Sequence, residues 1–450
     1  MQARLGSFLA LFLTSALLTT TSYADTPIPD AKMSAPQAEA NQPFLIPAAP
    51  SLDVKGYILM DAATGHIIAS KNPDERLEPA SLTKLMTLYL VFSAIQQGTI
   101  HLDDKVHISD QAWHTGGSRM FIKAGQEVTV ANLVQGVIVD SGNDATVALA
   151  EYVAGSESSF VDMMNIAAGR LGMANSHFDD ATGLPHDDHY TTPKDLALLT
   201  DAIIQKFPDQ YHFFSEKWFT YGGIRQPNRN RLLWRFEGAD GLKTGHTDKA
   251  GFCLISSAQR NNMRLITIVM GAPSDEARSA DSIRLLTYGF RFFSTEKLYD
   301  ANTPLTTVKV WKGEKDKSEL GLAKAMMVTL PVGSKQLLKT NLDTTKGLEA
   351  PVKKGQPYGS INISLNGKAI AHEPLIALAN NDKGGAWSKV SGSAHMLYNR
   401  WFNNDDDSGT KSEPTPAPVA TSAPVTPPTS TIAAPKQLDP VAGASTTQEK

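Results

Sequence analysis

The chain has 450 residues, 41% of them hydrophobic and 20% charged, enough material for two or three domains with buried cores. A net charge of −4 excludes both a polyanionic protein and the bulk basic surface a nucleic-acid binder needs, so no nucleic-acid partner is expected. The single cysteine, Cys253, excludes an intramolecular disulfide; in the apolar run Phe252 to Ile255 it reads as a buried structural thiol.

Arg4, the apolar stretch Phe8 to Leu18 and the small-residue site ending at Ala24 predict a secretory signal peptide over residues 1–24. The stretch is short for a bilayer span, and an uncut anchor is the alternative. An exported chain without disulfides must draw its stability from its core. A Pro- and Ala-rich spacer follows over 25–51. Gly56 to Met60 and His66 to Ala69, across the turn Ala62 to Gly65, predict a hairpin.

Pro79 opens a helix that runs to Ile95 and ends at Gly98; its leucines, methionine and aromatics leave almost no polar face, so it should be buried on all sides. Further helices are expected over Ala131 to Ala154, Ser158 to Leu171, Pro193 to Phe207 and Ser274 to Phe292, with strands at Lys217 to Tyr221, Gly251 to Ala258 and Leu265 to Met270. This order predicts an α/β (α+β) catalytic domain over 52–296, a mixed sheet covered by helices. Short β-type runs then predict a small all-β domain over 297–381. Residues 403–450, rich in Pro, Ser and Thr, cannot bury enough apolar surface to fold.

Three motifs carry the chemistry: Ser81-Leu82-Thr83-Lys84, Ser141-Gly142-Asn143 and Lys243-Thr244-Gly245. S-x-x-K with S-x-N and K-T-G is the signature of penicillin-binding proteins and class A β-lactamases. Other S-x-x-K matches, at Ser294 and Ser408, lack the setting, since Ser81 alone opens a buried apolar helix. The bland reading, a helix cap beside a solvated lysine, conflicts with a lysine set among apolar residues.

A serine hydroxyl needs a base to become a nucleophile. Three apart on a helix, Lys84 and Ser81 share a face, so the amine reaches the hydroxyl. Burial and the like charge of Lys243 are expected to lower the pKa of Lys84. Ser141 and Asn143, on a loop between helices, are expected to relay a proton and hold the substrate amide. Backbone N–H groups at Ser81 and after Gly245 should form an oxyanion hole, and Gly245 should leave the strand edge open to substrate.

With these motifs the chain resembles the low-molecular-mass penicillin-binding proteins of the D-alanyl-D-alanine carboxypeptidase family. The likeness extends to Lys243 to Gly251, Gly223 to Asn230 and Tyr288 to Phe293, and runs from about Ser51 to Phe402. The resemblance implies a penicillin-sensitive peptidase without cofactors that removes the terminal D-alanine of peptidoglycan pentapeptides through an acyl-enzyme on Ser81. It places His246 beside the oxyanion hole and Arg278 where the substrate carboxylate is received. Arg229 is a second candidate for that role, and a surface position is the alternative for Arg278.

The rival enzyme reading, a class A β-lactamase, requires a glutamate loop that no segment between Asn143 and Lys243 matches. A non-catalytic peptidoglycan-binding module conflicts with the intact Ser81, Lys84 and Lys243. No metal site is indicated, because His372-Glu373 is followed by Pro374. The expected partners are peptidoglycan stem peptides, β-lactams as covalent inhibitors, and the outer face of the inner membrane. For the last, residues 386–402 form an amphipathic pattern, with Trp387, Val390, Leu397 and Trp401 on one side. Packing of this helix on protein is the alternative. The expected location is periplasmic.

Overall fold

The computed structural model describes residues 46–385. The expected signal peptide, most of the spacer, the 386–402 helix and the terminal tail lie outside the described residues. Strands β1 (Gly56–Asp61) and β2 (Ile67–Lys71) pair as the expected hairpin. The chain then runs through its helices and returns as β3 (Ala239–Thr247), β4 (Gly251–Arg260) and β5 (Met263–Ala272). The sheet order is β2-β1-β5-β4-β3, which leaves β3 on an edge.

Every pairing in this sheet is antiparallel, which corrects the expected mixed sheet. Only short turns join β3 to β4 and β4 to β5, and connections of that length cannot make the crossover a parallel pair requires. Both sheet faces are buried. Leu59, Leu254 and Leu265 pack with Leu285 and Leu286 of helix α5 (Asp275–Phe292). Their neighbours Ile58, Met60, Ile255 and Ile266 face the larger helical layer. The two-residue period of a strand sorts the two sets.

That layer holds α1 (Lys84–Gln96), α2 (Asn143–Ala154), α3 (Glu157–Leu171) and α4 (Pro193–Lys206). Ser156, Thr192 and Ser274 each start a helix by accepting a backbone N–H with the side-chain oxygen, and Pro193 takes the first helical position. In and just before α1, Leu82, Leu85, Met86, Leu88, Val91 and Phe92 are wholly buried, so the helix carries Lys84 into the interior, as its sequence predicts.

The stretch 131–154 is not one helix. Val130–Gln135 is followed by a π-turn, Gly136–Asp140, and then by Ser141 in the left-handed region at φ 58° before α2 begins. The apolar pattern runs unbroken through the turn, so periodicity hides the break. π-Turns inside helices often sit at functional sites.

From α5 the chain passes directly into Phe293–Tyr299, which pairs with Met326–Pro331. The rest of this all-β part is a six-stranded sheet around Val308, Val310, Leu320, Ile361, Ile363 and Leu375. A buried polar knot ties it to the hairpin of the first sheet. Asp61 Oδ2 accepts hydrogen bonds from Thr295 Oγ1 at 2.6 Å and Thr329 Oγ1 at 2.8 Å. Fully buried, this carboxylate needs both donors.

Candidate active site

Ser81 lies in a single 3-10 turn, Ala80–Thr83, that leads into α1, and it is half-buried. Ala80 sits at φ 48°, a conformation that costs a residue with a Cβ about 1–3 kcal/mol, so the surrounding packing must hold the turn. Lys84 Nζ reaches Ser81 Oγ at 2.9 Å and donates to the Thr182 carbonyl at 2.6 Å. Burial pushes the Lys84 amine down to about 7; the Asp180 carboxylate opposes that, Arg229 reinforces it and Asp144 opposes it weakly. A neutral amine at this position can take the Ser81 proton while keeping its bond to Thr182.

The left-handed Ser141 turns its hydroxyl to Lys243, whose Nζ donates to Ser141 Oγ at 2.8 Å and to the Thr244 carbonyl at 3.0 Å. Lys243 lies well below the ordinary lysine range because of burial first, and then the charges of Lys84, Arg229 and Arg278. The coupling therefore runs opposite to the sequence expectation. The cation that depresses Lys84 is Arg229, and the like-charge effect between the two amines falls on Lys243.

Asn143 opens α2 and ties down the loop before it, donating from Nδ2 to the Gly116 carbonyl at 2.6 Å and from its backbone N–H to Ser118 at 2.7 Å. Its Oδ1 is buried without a partner, an acceptor for a substrate N–H. The buried Asp144 carboxylate accepts backbone N–H groups of Met120, Phe121 and Ile122 and fixes the rest of this wall.

Gly245 works differently from the open-edge expectation. A Cβ there would lie 3.0 Å from the Pro79 carbonyl oxygen and 3.2 Å from the Leu82 nitrogen. The missing side chain thus lets β3 close onto the Ser81 turn. Thr244 is buried beside Lys243, and the exposed His246 ring packs on Phe252 with centroids 4.0 Å apart.

Arg278 is no surface residue. Buried under the sheet, its Nη1 donates to the Gly245 carbonyl at 3.0 Å and the Cys253 carbonyl at 3.2 Å, and its Nη2 pairs with Asp275 at 2.5 Å. Its Nε has no partner. Arg229 is the exposed guanidinium, donating to Ser118 Oγ at 2.8 Å. Lys243 feels both charges, so together they make one end of the site cationic. Cys253 is buried, with its thiol pushed up to about 11 by that burial, an inert group.

The structure thus gathers Ser81, Lys84, Ser141, Lys243 and Thr244 around two amines, with Asn143, Gly245, His246 and Arg278 on the adjoining elements. Sequence reasoning missed Thr182, which contributes only its carbonyl, and the Asp180 and His189 side chains behind it. Asp180-Ala181-Thr182-Gly183 marks a turn, but nothing in its spacing places that turn on α1.

The model of the family described as D-alanyl-D-alanine carboxypeptidase matches residues 44–274, and that of the penicillin-binding protein 5 C-terminal domain matches 293–383. The D-alanyl-D-alanine carboxypeptidase DacC of Escherichia coli is 45% identical over 364 residues, covering 79% of this chain and 91% of the relative. DacA of the same organism is 40% identical over 372 residues, covering 81% and 92%. Among solved structures, penicillin binding protein 5 from Haemophilus influenzae superposes with a TM-score of 0.73 at 40% identity, over 75% of this chain and 99% of that one.

Proposed function

The chain belongs to the D-alanyl-D-alanine carboxypeptidase family, and on that premise we propose that Ser81 is its acylated nucleophile and Lys84 the base. The reaction is hydrolysis of the terminal D-alanine from peptidoglycan stem peptides, by a penicillin-sensitive serine enzyme. The observation that carries the residue assignment is a fully buried lysine amine 2.9 Å from the Ser81 hydroxyl.

Lys84 takes the Ser81 proton as Oγ attacks the carbonyl carbon between the two D-alanines. Backbone N–H groups of Ser81 and of the residue after Gly245 bind the oxyanion. The C–N bond breaks, and the proton that Lys84 took is relayed through Ser141, held by Lys243, to the departing amine, so that both groups return to their starting states. Asn143 Oδ1 accepts the N–H of the substrate backbone, Thr244 and His246 line the leaving-group side, and water then releases the acyl group. In a β-lactam the amine stays tethered after ring opening and obstructs that water, so the adduct persists.

The terminal carboxylate is drawn to the cationic end formed by Arg278 and Arg229, whose planar forks suit it. Release of D-alanine from a D-Ala-D-Ala peptide and from its C-terminal amide tests this. Replacing Arg278 by Gln should lower kcat/KM at least about tenfold more for the acid than for the amide, the loss of roughly one charge-assisted hydrogen bond. Arg278 also holds β3 through Gly245, so some loss on the amide accompanies it. Equal losses on both substrates would remove Arg278 from recognition, and the same comparison on Arg229→Gln decides its share.

The enzyme works outside the cytoplasmic membrane, resting on its outer surface through 386–402. Supporting this are the signal-type N-terminus and the two tryptophans on the apolar side of the segment, which has no acidic residue. Asp405, Asp406 and Asp407 oppose anionic lipid, so attachment is weak and reversible. Mature protein should float with anionic vesicles while a truncation after Lys383 stays below. Equal flotation of the two, or none, would exclude this segment as the anchor.

A further inference from the structure

Between α3 and α4 the chain crosses behind the nucleophile turn, and the residue that shapes the crossing belongs to none of the three motifs. Asp180 Oδ1 accepts hydrogen bonds from Thr182 Oγ1 at 2.8 Å, from the Gly183 N–H at 2.6 Å and from the Thr182 N–H. Its Oδ2 lies 3.6 Å from Nδ1 of His189, a buried histidine whose Nε2 is 2.8 Å from Thr83 Oγ1.

The loop so folded is fastened to the Ser81 turn and to α1. The Thr182 carbonyl accepts from Lys84, and the Ala181 carbonyl accepts from Thr87 Oγ1 at 2.7 Å. Gly183, at φ +86°, comes so close that a Cβ would fall 1.8 Å from the Ala80 carbonyl oxygen. The strained Ala80 is therefore braced from behind by this loop, and only glycine fits there.

We propose that Asp180 is a positioning residue for acylation, with two effects on Lys84. Its carboxylate folds the 180–183 turn so that the Thr182 carbonyl holds Lys84 Nζ against Ser81, and its negative charge favours the protonated form of that amine. The proposal rests on Lys84 being the base.

Burial alone would raise the Asp180 carboxyl, but its contacts with His189 and with the Gly183 and Thr182 N–H groups outweigh that and hold it at about 2. It is therefore charged throughout the range in which a lysine base works. After burial it is the largest influence on Lys84, ahead of Arg229 and Asp144. The titratable groups that face it are Lys84 on α1, His189 in its own loop and Glu157 at the start of α3. Glu157 accepts the Ala181 N–H at 3.3 Å, and its own carboxyl is raised by burial first and by Asp180 as well.

Only neutral Lys84 accepts a proton, so acylation climbs as pH rises through its pKa. Asp180→Asn keeps an acceptor oxygen for the turn but removes the charge, so Lys84 gives up its proton more readily. The acid limb should move to lower pH by roughly one unit.

The measurement is the second-order rate constant for acylation by a penicillin from about pH 5 to pH 9. It is made on wild type and Asp180→Asn, with thermal melting to show both folded. If the asparagine variant does not fold, Asp180→Ser, which keeps a hydroxyl acceptor, is measured in its place. A midpoint that stays fixed while the rate falls evenly at every pH, or one that moves upward, would overturn the proposal while leaving Lys84 as base. A wild-type profile without an acid limb would overturn the base assignment and this proposal together.

Discussion

Incubated with a penicillin, the wild-type protein should gain one stoichiometric covalent adduct, and Ser81→Ala should gain none. Two observations make the expected effect all-or-none. Ser81 is the hydroxyl that Lys84 Nζ approaches, at 2.9 Å, and that amine is wholly buried. The other serine in the site, Ser141, is buried and its hydroxyl accepts from Lys243 at 2.8 Å, whereas Ser81 is only half-buried and so within reach of a substrate. D-alanine release should fall on the order of 10⁶-fold in Ser81→Ala, since removal of a nucleophile leaves only what binding and the oxyanion hole supply. Intact mass before and after labelling reads the first result, and peptide turnover the second. An adduct that persists in Ser81→Ala would move the nucleophile elsewhere, with Ser141 the first place to look. The variant should fold as wild type does, because Ser81 is half-buried and its hydroxyl contact is with Lys84 alone in the turn.

What the sequence made legible, and what it hid, divides by physical cause. The α1 helix was readable because its apolar stretch runs too far for a strand and is too apolar all round for a surface helix. The antiparallel sheet was hidden because both of its faces are buried. A strand covered on two sides shows a continuous apolar run and so loses the alternation that separates parallel from antiparallel. Periodicity hid the break before Ser141, because Val137, Ile138 and Val139 continue the helical pattern through a π-turn and all three are buried; only the Ser141-Gly142-Asn143 motif placed a loop there. Gly245 was readable as a required glycine but not for its reason, which depends on where Pro79 and Leu82 lie in space. Thr182 offers Lys84 a carbonyl, a group every residue carries, so no residue type could betray it. The sequence names side chains that do chemistry; it is silent on the backbone that aims them.

Lys84→Ala should cost acylation roughly 10²–10⁴-fold, the usual worth of a general base, and should flatten the dependence on pH. The wild-type amine is held at about 7 chiefly by burial, so its deprotonation lies within the working range of the enzyme. The charged form dominates below that pH and cannot accept the Ser81 proton. Acylation should therefore rise through about 7 and level off above it. Lys84→Arg sharpens the test, because a guanidinium keeps the charge and the donors but does not deprotonate in proteins. It should lose activity as alanine does, and raising the pH should not recover it. Lys243→Ala should behave otherwise. Lys243 is not among the charges that shift Lys84, so its removal should lower the rate through Ser141, whose hydroxyl it holds at 2.8 Å, with little movement of the midpoint. A limb near pH 7 that survives in Lys84→Ala would assign the proton to another group. If the limb instead vanished in Lys243→Ala while persisting in Lys84→Ala, the base would be the second lysine.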